Sequence, residues 1–168
     1  MKKNILILIC LTLLSCNAIR NDNRNLQSQV DTTLNAWHKA ATDANFNLYF
    51  GMMTEDAIFI GTDPKENWDK TAFKAYAKPF FDKGKAWTFV SLQRHIYFDE
   101  TRKVAWFDEL LNTQMKICRG SGVLIKSGND WKIKHYVLSI TIPNDNTNEV
   151  VKIIAPIEDV MITKMQLK

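Results

Sequence analysis

Val104-Ala105-Trp106-Phe107-Asp108-Glu109-Leu110-Leu111-Asn112, followed by Thr113-Gln114, by Met115 to Lys126, by Ser127-Gly128-Asn129-Asp130 and by Trp131 to Ile142, is the stretch that decides the fold. Three β-branched and aromatic runs alternate with short polar segments of turn composition. Working backward, Asp99-Glu100-Thr101-Arg102 supplies another turn, and Trp87 to Phe98 another run of strand texture. Connections this short join consecutive strands as antiparallel neighbours, because a parallel crossover needs a dozen residues or more. The expectation is an antiparallel meander.

Upstream the period changes. Leu26, Val30, Leu34, Trp37, Ala41 and Ala44 recur at three- and four-residue intervals, the stripe of an amphipathic helix. Phe46, Tyr49, Phe50 and Met53 make a second, shorter stripe. Ala57 to Ile60 reads as a buried strand closed by Gly61. Asp63-Pro64-Lys65-Glu66 has the chemistry of a helix start, with an aspartate cap, proline at the first position and glutamate three residues after the cap. Trp68, Ala72, Ala75, Tyr76 and Pro79 continue that helix, and Lys83-Gly84-Lys85 ends it. Helices first and a curved antiparallel sheet afterwards make an α+β domain. After Pro143, Glu149 to Ile154 reads as helix and Pro156 as its interruption.

The N-terminus predicts export. Met1-Lys2-Lys3-Asn4 is a short basic start, and Ile5 to Leu14 is apolar except at Thr12. That run falls well below the roughly 20 apolar residues of a membrane-spanning helix and fits a signal peptide. Leu13-Leu14-Ser15-Cys16 resembles the bacterial lipobox, so Cys16 is the expected lipid-attachment site, although Leu14 is larger than the residue usual there. Cleavage near Ala18, releasing a soluble secreted protein, is the alternative. Residues 17–25 read as a flexible tether, 26–144 as the domain and 145–168 as a partly helical extension. Asn17 after the cysteine, by resemblance to the lipoprotein sorting rule, favours the outer membrane and a periplasmic-side location in the cell envelope.

Composition narrows the partners. A formal charge of +4 falls to +2 once Lys2 and Lys3 leave, too weak to predict nucleic-acid binding. Of three cysteines, Cys10 lies in the leader and Cys16 is the lipid candidate, so Cys118 has no disulfide mate. His38, His95 and His135 lie on separate elements without paired ligand spacing, which predicts no metal site. There is no glycine-rich phosphate loop after a strand and no nucleophile elbow, and no cofactor is expected.

Trp37-His38, Ile60-Gly61-Thr62-Asp63, Ala105 to Glu109, Arg119 to Leu124 and Trp131 to Ser139 together resemble the SnoaL-like branch of the nuclear transport factor 2-like superfamily, over about Leu26 to Asn144. The resemblance implies a cone of N-terminal helices closing over a strongly bent antiparallel sheet, with a pocket in its mouth. It does not imply one activity, because that superfamily holds isomerases, cyclases, dehydratases, binding domains and association domains. The pattern of its isomerases has no residue-by-residue counterpart here.

Strand register predicts the candidate site. A hairpin centred on Thr113-Gln114 sets Asp108 opposite Arg119 and Glu109 opposite Cys118. A second, centred on Gly128-Asn129, sets Gly120 opposite Val137 and Gly122 opposite His135. Side chains alternate between faces. Phe107, Glu109, Cys118, Ile133, His135, Val137 and Ser139 then share one face, and Trp106, Asp108, Arg119, Lys132, Lys134 and Tyr136 share the other. The two lysines assign the second set to the outside. A single β-bulge would exchange the sets.

Glu109 and His135 are therefore the candidate catalytic pair, a carboxylate and an imidazole able to exchange protons inside an apolar cavity. The structural alternative is a pair that only organises the core. Asp108 and Arg119 read as a cross-strand ion pair, or as ligand contacts if Arg119 grips a carboxylate. Trp37, Tyr49 and Phe59 are core aromatics that the resemblance also sets near a ligand, and Ser139 joins them from the last strand. Gly120 and Gly122 leave room beneath the helices. His38, at the edge of its stripe, reads as a boundary residue.

Two functional readings follow. One is an envelope-anchored domain that binds a small apolar or amphipathic molecule without turnover. The other is a small acid–base enzyme of the isomerase, cyclase or dehydratase kind, using Glu109 or His135. The resemblance also implies a homodimer formed through the outer sheet face.

Overall fold

The computed structural model describes residues 23–167, so the leader, Cys16 and the start of the tether lie outside the described residues. Helix α1 occupies residues 23–42 and buries Leu26, Val30, Leu34, Trp37 and Ala41, the predicted stripe. Ala44, in the left-handed region at φ 52°, breaks the helix, and Asn45 caps α2 (Phe46–Gly51) by accepting a hydrogen bond from the Leu48 N–H at 3.1 Å. Strand β1 (Met53–Ile60) follows, then the short β2 (Asn67–Asp69) and helix α3 (Lys70–Asp82).

The meander then runs as predicted: β3 (Val90–Phe98), β4 (Val104–Thr113), β5 (Lys116–Ser127) and β6 (Asp130–Ile140). The six strands lie in the order β2-β1-β6-β5-β4-β3. All neighbours are antiparallel except one, because β1 pairs parallel to β6. The sheet is thus mixed, where the sequence predicted antiparallel pairing throughout. Short turns dictate the pairing inside the meander, and nothing local dictates the partner of β1.

Helices α1, α2 and α3 pack on the inner face of this sheet around an aromatic core. Trp37 stacks on Tyr49 with ring centroids 4.8 Å apart, and Phe59 stacks on Phe73 at 4.0 Å. Tyr136 meets Trp37 at 4.9 Å and Phe59 at 5.5 Å, tying the last strand to both.

Two helix assignments change. The Asp63–Glu66 box forms its local bonds: the Asp63 N–H donates to Glu66 Oε2 at 3.1 Å and the Lys65 N–H to Asp63 Oδ1 at 2.8 Å. These bonds close only a turn. Asn67–Asp69 then pairs with β1, and the cap of α3 is Asp69, accepting from the Ala72 N–H at 2.8 Å. At the other end, α4 (Thr147–Gln166) runs straight through Pro156 instead of stopping there, preceded by a 3-10 turn at Asn144–Asn146. The ring removes one amide donor, and on an exposed helix water can satisfy the freed carbonyl. No described helix is long and apolar enough to cross a membrane.

Candidate functional site

The β4–β5 turn falls one residue later than predicted. The Thr113 hydroxyl accepts from the Met115 N–H at 2.9 Å and donates to the Lys116 carbonyl at 3.0 Å, so the loop is Gln114–Met115. Glu109 consequently faces Gly120, Leu110 faces Arg119 and Leu111 faces Cys118. The shift moves partners by two positions and leaves the faces unchanged.

The β5–β6 hairpin turns on Gly128–Asn129 as predicted, with Ser127 opposite Asp130 and Leu124 opposite Ile133. A bulge then intervenes, and Val123 pairs with His135 and Gly122 with Tyr136. Lys134 and His135 both point away from the core, and beyond them Tyr136 and Leu138 turn inward. The bulge therefore separates the expected pair: Glu109 lies on the inner face and His135 on the outer one. Ser139 moves outward with His135 and is exposed.

Other side chains surround Glu109. Its carboxylate is fully enclosed and accepts hydrogen bonds from four donors on three elements. His38 Nε2, from α1, approaches Oε1 at 2.8 Å, and the Tyr136 hydroxyl donates to the same oxygen at 3.1 Å. Arg94, from β3, donates to Oε2 through Nε at 2.9 Å and Nη2 at 2.7 Å. The outer side of the guanidinium is held by α1, with Nη1 donating to Asp31 Oδ1 at 2.5 Å and Asn35 Oδ1 at 2.9 Å.

Burial, the largest single influence on Glu109, opposes its ionisation. The hydrogen bonds and charges of His38 and Arg94 together outweigh it and hold the carboxyl below its ordinary range. An ionised carboxylate only accepts, so His38 carries a proton on Nε2. Burial, reinforced by the Glu109 charge, pushes the Tyr136 phenol well above its ordinary value.

This geometry gives Glu109 little scope as a base. Its oxygens are occupied, its basicity is lowered, and Arg94 neutralises it. What it can do is orient His38, whose Nδ1 is buried without a hydrogen-bond partner. The space expected beside the glycines is taken. A Cβ on Gly120 would stand 2.3 Å from the Tyr136 hydroxyl oxygen and 2.9 Å from Glu109 Oε1, and one on Gly122 would meet the His135 carbonyl at 2.3 Å.

Asp108 and Arg119 do not pair across the strands as predicted. Asp108 instead meets His95 Nδ1 at 3.0 Å on the outer face, and Arg119 stands exposed opposite Leu110. Both lie outside the helix-covered interior.

Arg94 and His38 themselves border two open surface recesses, of ≈ 500 and ≈ 550 Å³, and a smaller cavity of ≈ 170 Å³ is walled by Phe59, Trp68, Phe73, Trp87, Phe89 and Leu138, with Thr62, Glu66 and Gln114 supplying polar groups. Phe59 lines it. Trp37 and Tyr49 lie one ring behind, Tyr49 touching Trp87 edge-on at 5.5 Å. Phe89 also meets the His38 ring, at 5.6 Å. Four polar atoms in this region are buried without a hydrogen bond of good geometry: Trp37 Nε1, His38 Nδ1, the Tyr49 hydroxyl and Trp87 Nε1. Burial pushes the Tyr49 phenol well up, against a smaller opposing pull from a hydrogen bond with the Trp87 indole. A fifth such atom, Trp131 Nε1, lies beside the β5–β6 turn. A wider surface recess of ≈ 480 Å³ between α1, α2 and that turn is lined by Leu48, Met52 and Trp131 together with Gln29, Thr32 and Asn129, away from Glu109.

Among the described residues, no group of three or more His, Cys, Asp or Glu stands together to hold a metal. Cys118 is buried, with its Sγ 3.4 Å from the Thr113 hydroxyl.

Sequence reasoning missed Arg94 and misread His38. Both had a signal. Arg94 shares its strand face with Ile96 and Phe98, and His38 stands four residues after Leu34 and three before Ala41.

A helical cone over a bent mixed sheet, with a polar cluster on the inner face, defines a nuclear transport factor 2-like domain. More narrowly, the chain belongs to the SnoaL-like domain family, which it matches over residues 30–143. Similar solved structures include a nuclear transport factor 2-like protein of unknown function from Pseudomonas putida, with a TM-score of 0.59 at 13% identity, covering 71% of this chain and 89% of that one. Another is a candidate dehydratase of the same superfamily from Streptomyces avermitilis, with a TM-score of 0.60 at 11% identity and coverage of 73% and 99%. A third is a candidate calmodulin-dependent kinase association domain from Exiguobacterium sibiricum, at 0.55 and 14%, covering 70% and 95%. Likeness at these identities establishes the fold alone. No curated protein sequence matches the chain.

Proposed function

We propose that this is an envelope-anchored domain that binds a small apolar or amphipathic molecule in its aromatic cavity, without turning it over. The observation that carries the reading is Trp87: it lines the cavity, and its buried indole N–H has only the poorly aligned Tyr49 hydroxyl as a partner. Buried donors in native proteins almost always have a partner. A ligand with an apolar ring and one hydrogen-bond acceptor supplies both the ring contacts and a better-aligned acceptor. An apolar cavity on the order of 150 Å³ holds a single aromatic ring, so ≈ 170 Å³ suits a one-ring body whose polar end reaches the rim. The lipobox-like Leu13 to Cys16 supports anchorage at the periplasmic side of the envelope. The exposed, partly apolar outer sheet face supports pairing of two copies.

The test is titration of the purified domain with phenol and acetophenone, followed by NMR of the tryptophan indole N–H signals. The Trp87 signal should move, and Trp87→Ala should weaken binding at least several-fold. An unmoved Trp87 signal with both probes overturns the reading.

A second reading is favoured by one specific observation, the unpartnered Nδ1 of His38. With Nε2–H held by Glu109, that nitrogen is directed as a general base, so the enzyme alternative passes from Glu109 or His135 to the His38–Glu109 dyad. Base-promoted ring opening of 5-nitrobenzisoxazole tests it. A rate above background that disappears in His38→Gln supports catalysis, and equal rates in both proteins remove it.

A further inference from the structure

Among the described residues, helix α4 finds only partial cover, with Val150, Ile154 and Met161 half-buried. Its 20 residues bury no side chain, and Ile153, Ile157, Val160 and Leu167 are 73%, 69%, 52% and 83% exposed. With Val150 and Lys164 these residues repeat at alternating three- and four-residue steps, the spacing of one continuous helical stripe. Ile154 and Met161 widen the stripe on one side, and Val151, Ile162 and Met165 form another apolar ridge. Lys152, Asp159 and Gln166 line up as a polar ridge, and Glu149, Glu158 and Lys164 are interspersed among the apolar positions. Exposed apolar surface of this extent marks an interaction face.

The same chain has a second uncovered surface. The outer sheet face carries Tyr97 and Trp106, with stacked rings 6.0 Å apart and 47% and 45% exposure. Strand register adds Leu110, Val123 and Val137 to that face. Helices α1, α2 and α3 all pack on the opposite side. A sheet with an apolar face is stable when another element covers it.

We propose that α4 docks across the outer sheet face of a second copy of this chain, which returns its own α4 in the same way. Reciprocal docking is a two-fold arrangement in which one contact is made twice. A helix about 30 Å long and roughly 10 Å across covers on the order of 300 Å² of a sheet. Two such contacts bury four such surfaces, which clears the roughly 1,000 Å² that a specific interface needs. Charge agrees: Glu149, Glu158 and Asp159 outnumber Lys152 and Lys164 in α4, matching the exposed Arg119 on the outer face and offering nothing to an anionic lipid surface. The inference rests on the outer-face pairing proposed above and identifies what meets that face.

Sedimentation of the full chain in non-ionic detergent tests it. The wild type should be a dimer, and both Ile153→Asp/Ile157→Asp and Trp106→Asp should be monomers with unchanged circular dichroism, since none of these residues is buried. Mixing the two variants should give association weaker than that of the wild type but above that of either variant alone, because one of the two contacts, an intact α4 on an intact face, is then available. A dimer retained by the α4 variant but lost with Trp106→Asp overturns the inference while leaving direct sheet-to-sheet pairing. A dimer lost only in the α4 variant assigns the seam to two helices and also overturns it. A monomeric wild type overturns both pairing readings, and α4-dependent flotation with phosphatidylglycerol vesicles would then assign the helix to lipid.

Discussion

Neutralising Glu109 strands a buried guanidinium. Glu109→Gln keeps the shape but removes the charge that Arg94 faces at 2.7 Å, and breaking a buried pair costs about 3–5 kcal/mol. Urea unfolding should register a loss of that order, moderated because Asp31 still holds Arg94. The pH dependence has a definite sign. The folded carboxyl lies below its ordinary range, so the unfolded chain takes up the proton first as the solution is acidified. The stabilisation is complete above the ordinary carboxyl value of about 4.3 and is lost as pH falls through the lower folded value. Denaturation midpoints measured from pH 7 to pH 3 should therefore fall less steeply in Glu109→Gln than in the wild type; equal slopes would show that this carboxyl is not linked to folding. Gly120→Ala addresses the same cluster by volume. The new methyl competes with the Tyr136 hydroxyl and Glu109 for one space, and overpacking of this kind costs about 1–3 kcal/mol. A thermal midpoint unchanged by the substitution would mean that Tyr136 yields without loss.

The helix caps give a clean comparison between elements. Asp69 caps α3 and Asp63 closes only a turn, so Asp69→Ala should cost about 1 kcal/mol and Asp63→Ala clearly less, read from paired urea curves. Equal losses would restore the earlier start that the residues at 63–66 suggest. That near miss shows what was legible. Strands β3 to β6 could be read closely because their turns are short and carry Gly128, Asn129 or Asp99, which leave few alternatives. The start of α3 could not, because a capping box reports local hydrogen bonds whether or not the following residues are claimed by a strand. The site failed for a similar reason. No glycine or proline marks the bulge at Lys134 and His135, so alternation carried through it exchanges His135 with Tyr136. Arg94 was obscured by its neighbours Gln93 and His95, whose polarity makes the strand read as a solvated edge. His38 was set aside for its position at the edge of the helix stripe, although its four-residue step from Leu34 turns it to the buried side.

At the scale of the whole chain, two expectations concern where and how the molecule comes together. Cys16→Ala should abolish incorporation of labelled lipid and move the protein from the membrane fraction to the soluble one; labelling that survives the substitution would remove the anchor. The parallel contact between β1 and β6 bears on timing. Phe59 and Tyr136 sit side by side in the finished sheet, and Asp56 meets Lys134 across 78 positions of chain. During synthesis β1 must wait for the last strand of the meander before its inner edge can be satisfied, while the hairpins β3–β4 and β4–β5 can close as they emerge. Contacts of such long reach slow the search, and topologies of this kind fold in milliseconds to seconds rather than microseconds. Were the leader-like residues 1–16 to direct export, a chain that stays open until its final third is available would suit a translocation channel that accepts only unfolded polypeptide. The β1–β6 seam would then act as a delay, keeping the domain threadable until its carboxyl-terminal strands have been made.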